Sequence, residues 1–355
     1  MASHFHAIKV KEVIRETPEC VSISFDIPEH LQTVFQYKEG QNITIKTTIN
    51  QQDVRRSYSI CNAPYENQLK VAIKKTTGGL FSTYANEHIK AGDVLEIMPP
   101  TGRFTAKNTT GNFLAIAAGS GITPIMSIIK HTLKTQPNSH FTLIYGNKSR
   151  GSIIFFEEIE SLKNKYMNRF VCVNVLSKER TDADINYGRI DAEKLNALTP
   201  LIQFEKMNDV YICGPEAMIF SAADFLEHKG ISKNNIHFEL FTTPGQAKQQ
   251  SSETLAQKQV GPTSNITVRL DGRTFEFDLP QNSQNILDAA LAQGADLPYA
   301  CKGGVCCTCR AKLLEGQVKM DVNYALEADE VAQGFILTCQ SHPLTEKVII
   351  DFDIK

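Results

Sequence analysis

Four cysteines in the last quarter of the chain constrain it more than any other feature. Cys301, Cys306 and Cys309 follow the spacing C-x4-C-x2-C, and Cys339 comes 30 residues after the third. Thiolates are soft ligands, suited to iron–sulfur clusters or to zinc. Three of them on one short loop would clasp most of a cluster, and the distant fourth would close it from another element. Gly303 and Gly304 allow the loop backbone to come close and to aim N–H groups at inorganic sulfide. Structural zinc sites usually pair two C-x2-C turns, which the x4 gap and its glycines do not match. Cys307, out of register between two ligands, reads as a small non-ligating side chain.

The other cysteines, Cys20, Cys61, Cys172 and Cys213, are scattered, and the total of nine is odd. Charges run through MASHFHAIKVKEV where a secretory apolar stretch would lie. Together these argue against a disulfide framework and for a cytoplasmic protein. The formal charge of −2 carries no basic footprint for nucleic acid, and no apolar run reaches the length of a membrane span. No nucleic-acid or membrane partner is therefore expected.

At 355 residues the chain exceeds one ordinary core, and its patterning changes along its length. Residues 1–107 read as β-rich: alternation in Val21–Pro28 and Leu69–Lys74 predicts half-buried strands, and several such strands suggest a barrel. Over 108–244, the short apolar runs Phe113–Ala118, Phe141–Tyr145, Phe170–Leu176 and Val210–Cys213 alternate with helix-like segments. That alternation implies βαβ units and a parallel sheet. Residues 245–263, rich in Gln, Ser, Gly and Pro, read as a flexible linker. In 264–355, two strands are expected around Asp271–Gly272 and a helix over Ile286–Gly294. Acidic residues outnumber basic ones 13 to 8 in that last segment, which would steer a basic partner.

The segment Leu297–Arg310, LPYACKGGVCCTCR, resembles the loop of plant-type [2Fe–2S] ferredoxins. The resemblance implies an α+β β-grasp domain with Cys301, Cys306, Cys309 and Cys339 as cluster ligands. Arg56-Ser57-Tyr58-Ser59 resembles the R-x-Y-S signature of the ferredoxin-NADP⁺ reductase family. Residues two apart on a strand share a face, so Arg56 and Tyr58 would meet one ligand together. In such a family Arg56 would grip the FAD pyrophosphate as a fork, Tyr58 would stack on the flavin, and Ser59 would place its hydroxyl near flavin N5. Val71, Ile73 and Lys74 fall where the family's strand edges the isoalloxazine. Gly79, Leu80 and Ser82 match its second phosphate-binding element.

Gly119, Gly121, Thr123 and Pro124 lie in AAGSGITP, a glycine-rich turn between an apolar strand and a helix. Such a turn favours an anion at the helix N-terminus. It is similar to the family's GxGxxP loop for the nicotinamide cofactor. Cys213-Gly214-Pro215 matches its C-G-P motif, in which the cysteine lies beside nicotinamide C4. Ser177 and Lys178, with Glu179 and Arg180 after them, resemble the segment that holds the 2′-phosphate in NADP-linked members. Arg189 sits where some members place a second phosphate arginine, and Ser149 and Arg150 near the adenosine. The resemblance thus implies a multi-domain oxidoreductase: an antiparallel β-barrel FAD domain, an α/β parallel-sheet NAD(P) domain and a β-grasp ferredoxin domain. The reductase-first order resembles the reductase components of multicomponent bacterial oxygenases. It implies FAD, a [2Fe–2S] cluster, NADPH in preference to NADH, and an oxygenase or hydroxylase component as electron acceptor. A reductase acting on a small substrate and a redox sensor remain open on the residues alone.

Overall fold

The computed structural model describes residues 5–106, 110–241, 262–281 and 283–354. Most of the expected linker, 245–263, lies outside the described residues. One compact unit is formed by residues 5–54 and 58–240.

That unit opens with a six-stranded antiparallel sheet. Its strands are β1 (His6–Thr17), β2 (Cys20–Asp26), β3 (Asn42–Ile49), β4 (Gln52–Ser59), β5 (Leu69–Lys74) and β6 (Val94–Ile97), in spatial order β4-β3-β6-β1-β2-β5. The chain just past β4 returns to the opposite edge: Ile60 bridges Val71, and the Cys61 N–H donates to the Lys70 carbonyl at 2.9 Å. The sheet is thereby closed into a barrel, which satisfies both edges. Helix α1 (Leu80–Glu87) packs on it through Phe81 and Ala85.

Half-burial was expected for β2, yet Cys20–Phe25 is buried throughout. Val21, Ile23 and Phe25 fill the barrel, whereas Cys20, with Ala72 of β5, joins a second core that contains Phe113, Tyr145 and Phe155. The next layer of the fold covers the barrel's outer face there, so both faces of the strand are dry.

That layer is a parallel sheet of β7 (Asn112–Ala118), β8 (His140–Asn147), β9 (Phe170–Leu176), β10 (Asp209–Cys213) and β11 (Ile236–Glu239), ordered β11-β10-β7-β8-β9. Its helices are α2 (Ile122–Thr135), α3 (Phe156–Lys165), α4 (Ala192–Leu198) and α5 (Glu216–His228). Strand order reverses between β7 and β10. In open parallel sheets, ligands bind outside the carboxyl ends of the strands at such a point.

The C-terminal region has a mixed sheet. Its strands are β12 (Thr263–Leu270), β13 (Arg273–Pro280), β14 (Arg310–Glu315), β16 (Phe335–Leu337) and β18 (Lys347–Asp351), with β15 (Val318–Met320) and β17 (Ser341–Pro343) paired separately. The order β13-β12-β18-β14-β16, with β12 and β18 parallel, is that of a β-grasp. Asp271 and Gly272 both have positive φ, at 54° and 70°, as a two-residue type I′ hairpin turn requires. Helix α6 (Ile286–Ala292) is capped by Asn285, whose side chain accepts from the Asp288 N–H at 2.8 Å. It buries Ile286, Leu287 and Ala290 beneath the sheet; α7 (Ala328–Ala332) is a single turn. Among the described residues no helix is long and apolar enough to cross a membrane.

Phe113 and Phe141, on adjacent parallel strands, stack with ring centroids 5.8 Å apart and are both almost fully buried. Phe113→Ala should cost about 3–5 kcal/mol. The check is the urea midpoint followed by circular dichroism; a loss under about 1 kcal/mol would show that the ring bears little packing.

Candidate active site

Three strands of the parallel sheet end side by side. Ala117 of β7 is level with Cys213 of β10, and Cys213 with Glu239 of β11. The turn after β7 passes so close to the turn after β10 that a β-carbon on Gly121 would stand 2.0 Å from the Cys213 carbonyl oxygen. Only glycine fits. The same glycine-rich turn is held from behind by Tyr145, whose hydroxyl donates to the Gly119 carbonyl at 2.9 Å. Thr123 Oγ1 donates to the Ser120 carbonyl at 3.0 Å, and Pro124 is buried beside it. The motif residues Gly119, Gly121, Thr123, Cys213 and Gly214 therefore share one crevice at the topological switch point, with Pro215 exposed on its rim.

The barrel contributes to the same place. Ser59, at the end of β4 and 5% exposed, donates its hydroxyl to Glu239 Oε2 at 3.1 Å. The Lys74 side chain reaches Gly119. Tyr58 is half-buried against Phe81, centroids 5.5 Å apart, while Arg56 is exposed on the same strand. Val71 and Ile73 are fully buried within the barrel and offer a ligand only their backbone. Gly79 is the N-cap of α1, with no side chain bonded across the helix start. Leu80 lies half-buried beside it, and the Ser82 hydroxyl donates back to the Gly79 carbonyl at 3.2 Å. The helix start at Gly79 and the Tyr58 ring, which meets Phe81 of the same helix, fit part of a flavin dinucleotide.

Glu239 was not expected from the sequence. Residue 239 is separated from Ser59 by 180 positions, and nothing local distinguishes it from other surface acids. Its place at the carboxyl end of a parallel strand is the one signal that points to it. Enclosure by protein raises its carboxyl to about 7, partly offset by the Ser59 hydroxyl. Burial, and next the Glu239 charge, push the Cys213 thiol well above its ordinary range. Cys213 is thus a neutral thiol, suited to packing and weak S–H donation rather than to nucleophilic attack.

The loops beyond β8 and β9 are stitched together. Ser177 donates its N–H to the Asn147 carbonyl at 2.9 Å, and the Lys178 N–H donates to the Lys148 carbonyl at 2.8 Å. Glu179 Oε2 accepts from the Arg150 N–H at 2.9 Å. Ser149 closes its own turn with Ser152. Arg180 lies over the Tyr187 ring, 4.8 Å from its centre. Lys178, Arg150 and Arg189 are exposed there.

In the β-grasp region the four expected thiols are gathered. The Cys306 thiol lies 3.1 Å from Cys301 Sγ, and Cys339 is within hydrogen-bonding reach of both Cys301 and Cys309. The Gly303 N–H donates to Cys301 Sγ at 3.3 Å. Donation from Cys306, then Cys339, and from backbone amides lowers the Cys301 thiol, while the same hydrogen bonds and burial raise Cys306 and Cys339. Gly304 has φ +73°, and a β-carbon on it would press on Val322 at 3.0 Å. Cys307 turns away and donates to the Ala325 carbonyl at 3.2 Å. Among the described residues no three such side chains converge as ligands of a single ion. A [2Fe–2S] cluster needs only two thiolates per iron, and the gathered sulfurs and inward amides fit it.

Known families match in the same places. The oxidoreductase FAD-binding domain matches residues 7–106, the oxidoreductase NAD-binding domain 115–224, and the 2Fe-2S iron-sulfur cluster binding domain 268–344. Over 355 residues the chain is 45% identical to a subunit of the 1,2-phenylacetyl-CoA epoxidase of Escherichia coli (strain K12), covering 99% of this chain and 98% of that one. The chain belongs to the family of that epoxidase component. A more distant relative is the 3-ketosteroid-9-alpha-monooxygenase, ferredoxin reductase component, of Rhodococcus rhodochrous, 32% identical over 97% of this chain and 96% of its own. The fold is shared with phthalate dioxygenase reductase (TM-score 0.59, 22% identity, 98% of each chain) and with an intact type IV self-sufficient cytochrome P450 monooxygenase (TM-score 0.70, 20% identity, 98% of this chain and 41% of that one). As a member of this family the chain is an oxidoreductase with FAD, pyridine-nucleotide and [2Fe–2S] domains.

Gly121→Ala should lower pyridine-nucleotide-dependent ferricyanide reduction at least about tenfold, because the crevice must open to admit the methyl group. FAD content should be retained, since no barrel contact changes. Glu239 supplies a pH test. Its folded value lies above the ordinary 4.5, so the stability tied to the neutral acid is complete below 4.5 and lost as pH rises through about 7. Between about pH 5 and about pH 8 the thermal midpoint of Glu239→Gln should therefore fall less than the parent's; parallel curves would refute the raised value.

Proposed function

We propose that this chain is the electron-delivering reductase of an oxygenase system, most closely that of a phenylacetyl-CoA epoxidase. It would take hydride from NADPH and pass single electrons to the oxygenase component. The hydrogen bond from Ser59 to Glu239 carries this reading, because it joins the flavin strand of the barrel to the nucleotide crevice of the parallel sheet. The whole-length likeness to the epoxidase component supports the choice of system. The chain divides into an FAD domain (1–107), an NADP domain (108–244), a linker (245–263) and a ferredoxin domain (264–355), and works in the cytoplasm.

FAD, when bound, converts a two-electron hydride into the single electrons that a one-electron cluster accepts. The protein's part is binding, orientation and proton handling. Arg56 and the first amides of α1 would hold phosphate, Tyr58 would pack on the flavin, and Gly119 and Gly121 would admit the nucleotide. Cys213 packs in the dry crevice as a neutral thiol. Ser59 Oγ donates to Glu239 Oε2, and a carboxyl near 7 can take up or release a proton of its own at working pH. Cys301, Cys306, Cys309 and Cys339 would hold the cluster.

Turnover of phenylacetyl-CoA by the purified oxygenase component of such a system, dependent on this chain and NADPH, tests the assignment. Absence of coupled turnover with intact cofactors would reject that acceptor. The preference for NADPH rests on the exposed cations Lys178 and Arg189 beyond β9. The ratio of kcat/KM should favour NADPH, and Lys178→Ala and Arg189→Ala should each raise its KM about fivefold or more while changing NADH less than about twofold. A parent ratio in favour of NADH would overturn the preference.

A further inference from the structure

The two halves of the proposed reaction site belong to different layers. Ser59 and the flavin strand belong to the barrel, whereas Gly121, Thr123 and Cys213 belong to the parallel sheet. Hydride transfer tolerates little error: a misplacement of about 1 Å can cost about a hundredfold in rate. Some element must therefore fix one layer against the other. Helix α2 is built for it. Its N-terminus carries the nucleotide turn, and one face of its second half grips the barrel.

Ser127, fully buried on that face, donates to the Asn62 carbonyl, three residues after Ser59. One turn on, Lys130 has only 4% of its side chain exposed, and its Nζ lies 2.8 Å from Glu66 Oε2 and 2.9 Å from Glu158 Oε1. Glu66 belongs to the barrel's 60–68 segment and Glu158 to α3 of the sheet layer. Tyr65 donates to the Lys130 carbonyl at 3.4 Å, and His131 faces Glu39 of the barrel at 3.8 Å. The receiving segment is itself rigid. The Tyr37 hydroxyl lies within donating distance of the carbonyls of Asn62, Ala63 and Gln68, which offer its one proton alternative acceptors, and Glu66 Oε2 accepts from the Ala63 N–H at 2.7 Å. Burial alone would lower the Lys130 pKa, but Glu158 and Glu66 together outweigh it and keep the ammonium charged. Removing the buried ammonium leaves two carboxylates facing each other without their shared cation, which is costly.

We infer that Lys130 is a positioning residue for hydride transfer: through Glu66 it locks the nucleotide-carrying helix to the segment that follows the flavin strand, and so sets the distance between the two half-sites. The role rests on the proposed function, and its two carboxylates allow the lock to be tested arm by arm. Glu66→Gln weakens only the arm that crosses between layers, and its amide oxygen can still accept from Ala63. Glu158→Gln weakens only the arm within the sheet layer.

The measurement is rapid-mixing reduction of the flavin in the full-length holoenzyme at saturating NADPH, repeated with the 4-deuterated nucleotide to show that hydride transfer is the step observed. Lys130→Met and Glu66→Gln should slow that step by about tenfold or more, with FAD content and half-saturating NADPH within about twofold of the parent. Lys130→Arg should recover most of the rate, and Glu158→Gln should stay within about threefold of the parent. A lowered thermal midpoint with the parent's rate would overturn the inference and leave the cluster a purely stabilising one. Equal slowing by Glu66→Gln and Glu158→Gln would overturn it as well, as would loss of rate in proportion to lost FAD. A parent flavin reduced by neither NADPH nor NADH would instead refute the functional reading, and the inference with it.

Discussion

The close approach of Gly121 to the Cys213 carbonyl holds the crevice at the ends of β7 and β10 together. It brings the turns after β7 and β10 together without a side chain between them. Those strands are neighbours with Ala117 level with Cys213, so α2 and α5 both start from one point. Glu239 comes next, because β11 runs parallel to β10 and ends in register with it. A thiol, a glycine turn and a carboxyl thus meet over three adjacent strand ends. Ser59 then closes the crevice from the barrel.

The crevice and the cysteine loop handle charge differently. In the crevice, enclosure disfavours ions: Cys213 stays a neutral thiol, and Glu239 is raised to about 7. In the loop Leu297–Arg310, hydrogen bonds from thiols and backbone amides converge on Cys301 and favour its anion, while the donors Cys306 and Cys339 are held as thiols. The same residue type is dry packing in one place and, on the proposed function, a ligand in the other, and the surroundings decide which.

Rigidity between the two layers comes from shared burial. Cys20 and Ala72 on the outside of the barrel join a core with Phe113, Tyr145 and Phe155 of the sheet layer. Dry packing of this kind holds two surfaces together but leaves sliding comparatively cheap. The ammonium of Lys130 between Glu66 and Glu158, with Ser127 on Asn62, adds directional contacts that fix register.

Sequence by itself determined those features whose residues lie close together along the chain. The C-x4-C-x2-C loop, the R-x-Y-S strand and the two glycine turns each sit on one turn or strand, and spacing alone orders them. Strand positions such as Phe170–Leu176, and the Asp271–Gly272 hairpin, were legible because apolar runs and positive-φ residues act locally. Tertiary structure decided the rest. The two-sided burial of β2 depends on a layer supplied by residues a hundred positions away, so its alternating pattern misled. Glu239 and Lys130 look like ordinary surface charges in the sequence. They acquire their roles only when β11 is brought beside β10, and α2 against the segment after β4, because the cost of an enclosed charge is set by its neighbours in space rather than along the chain.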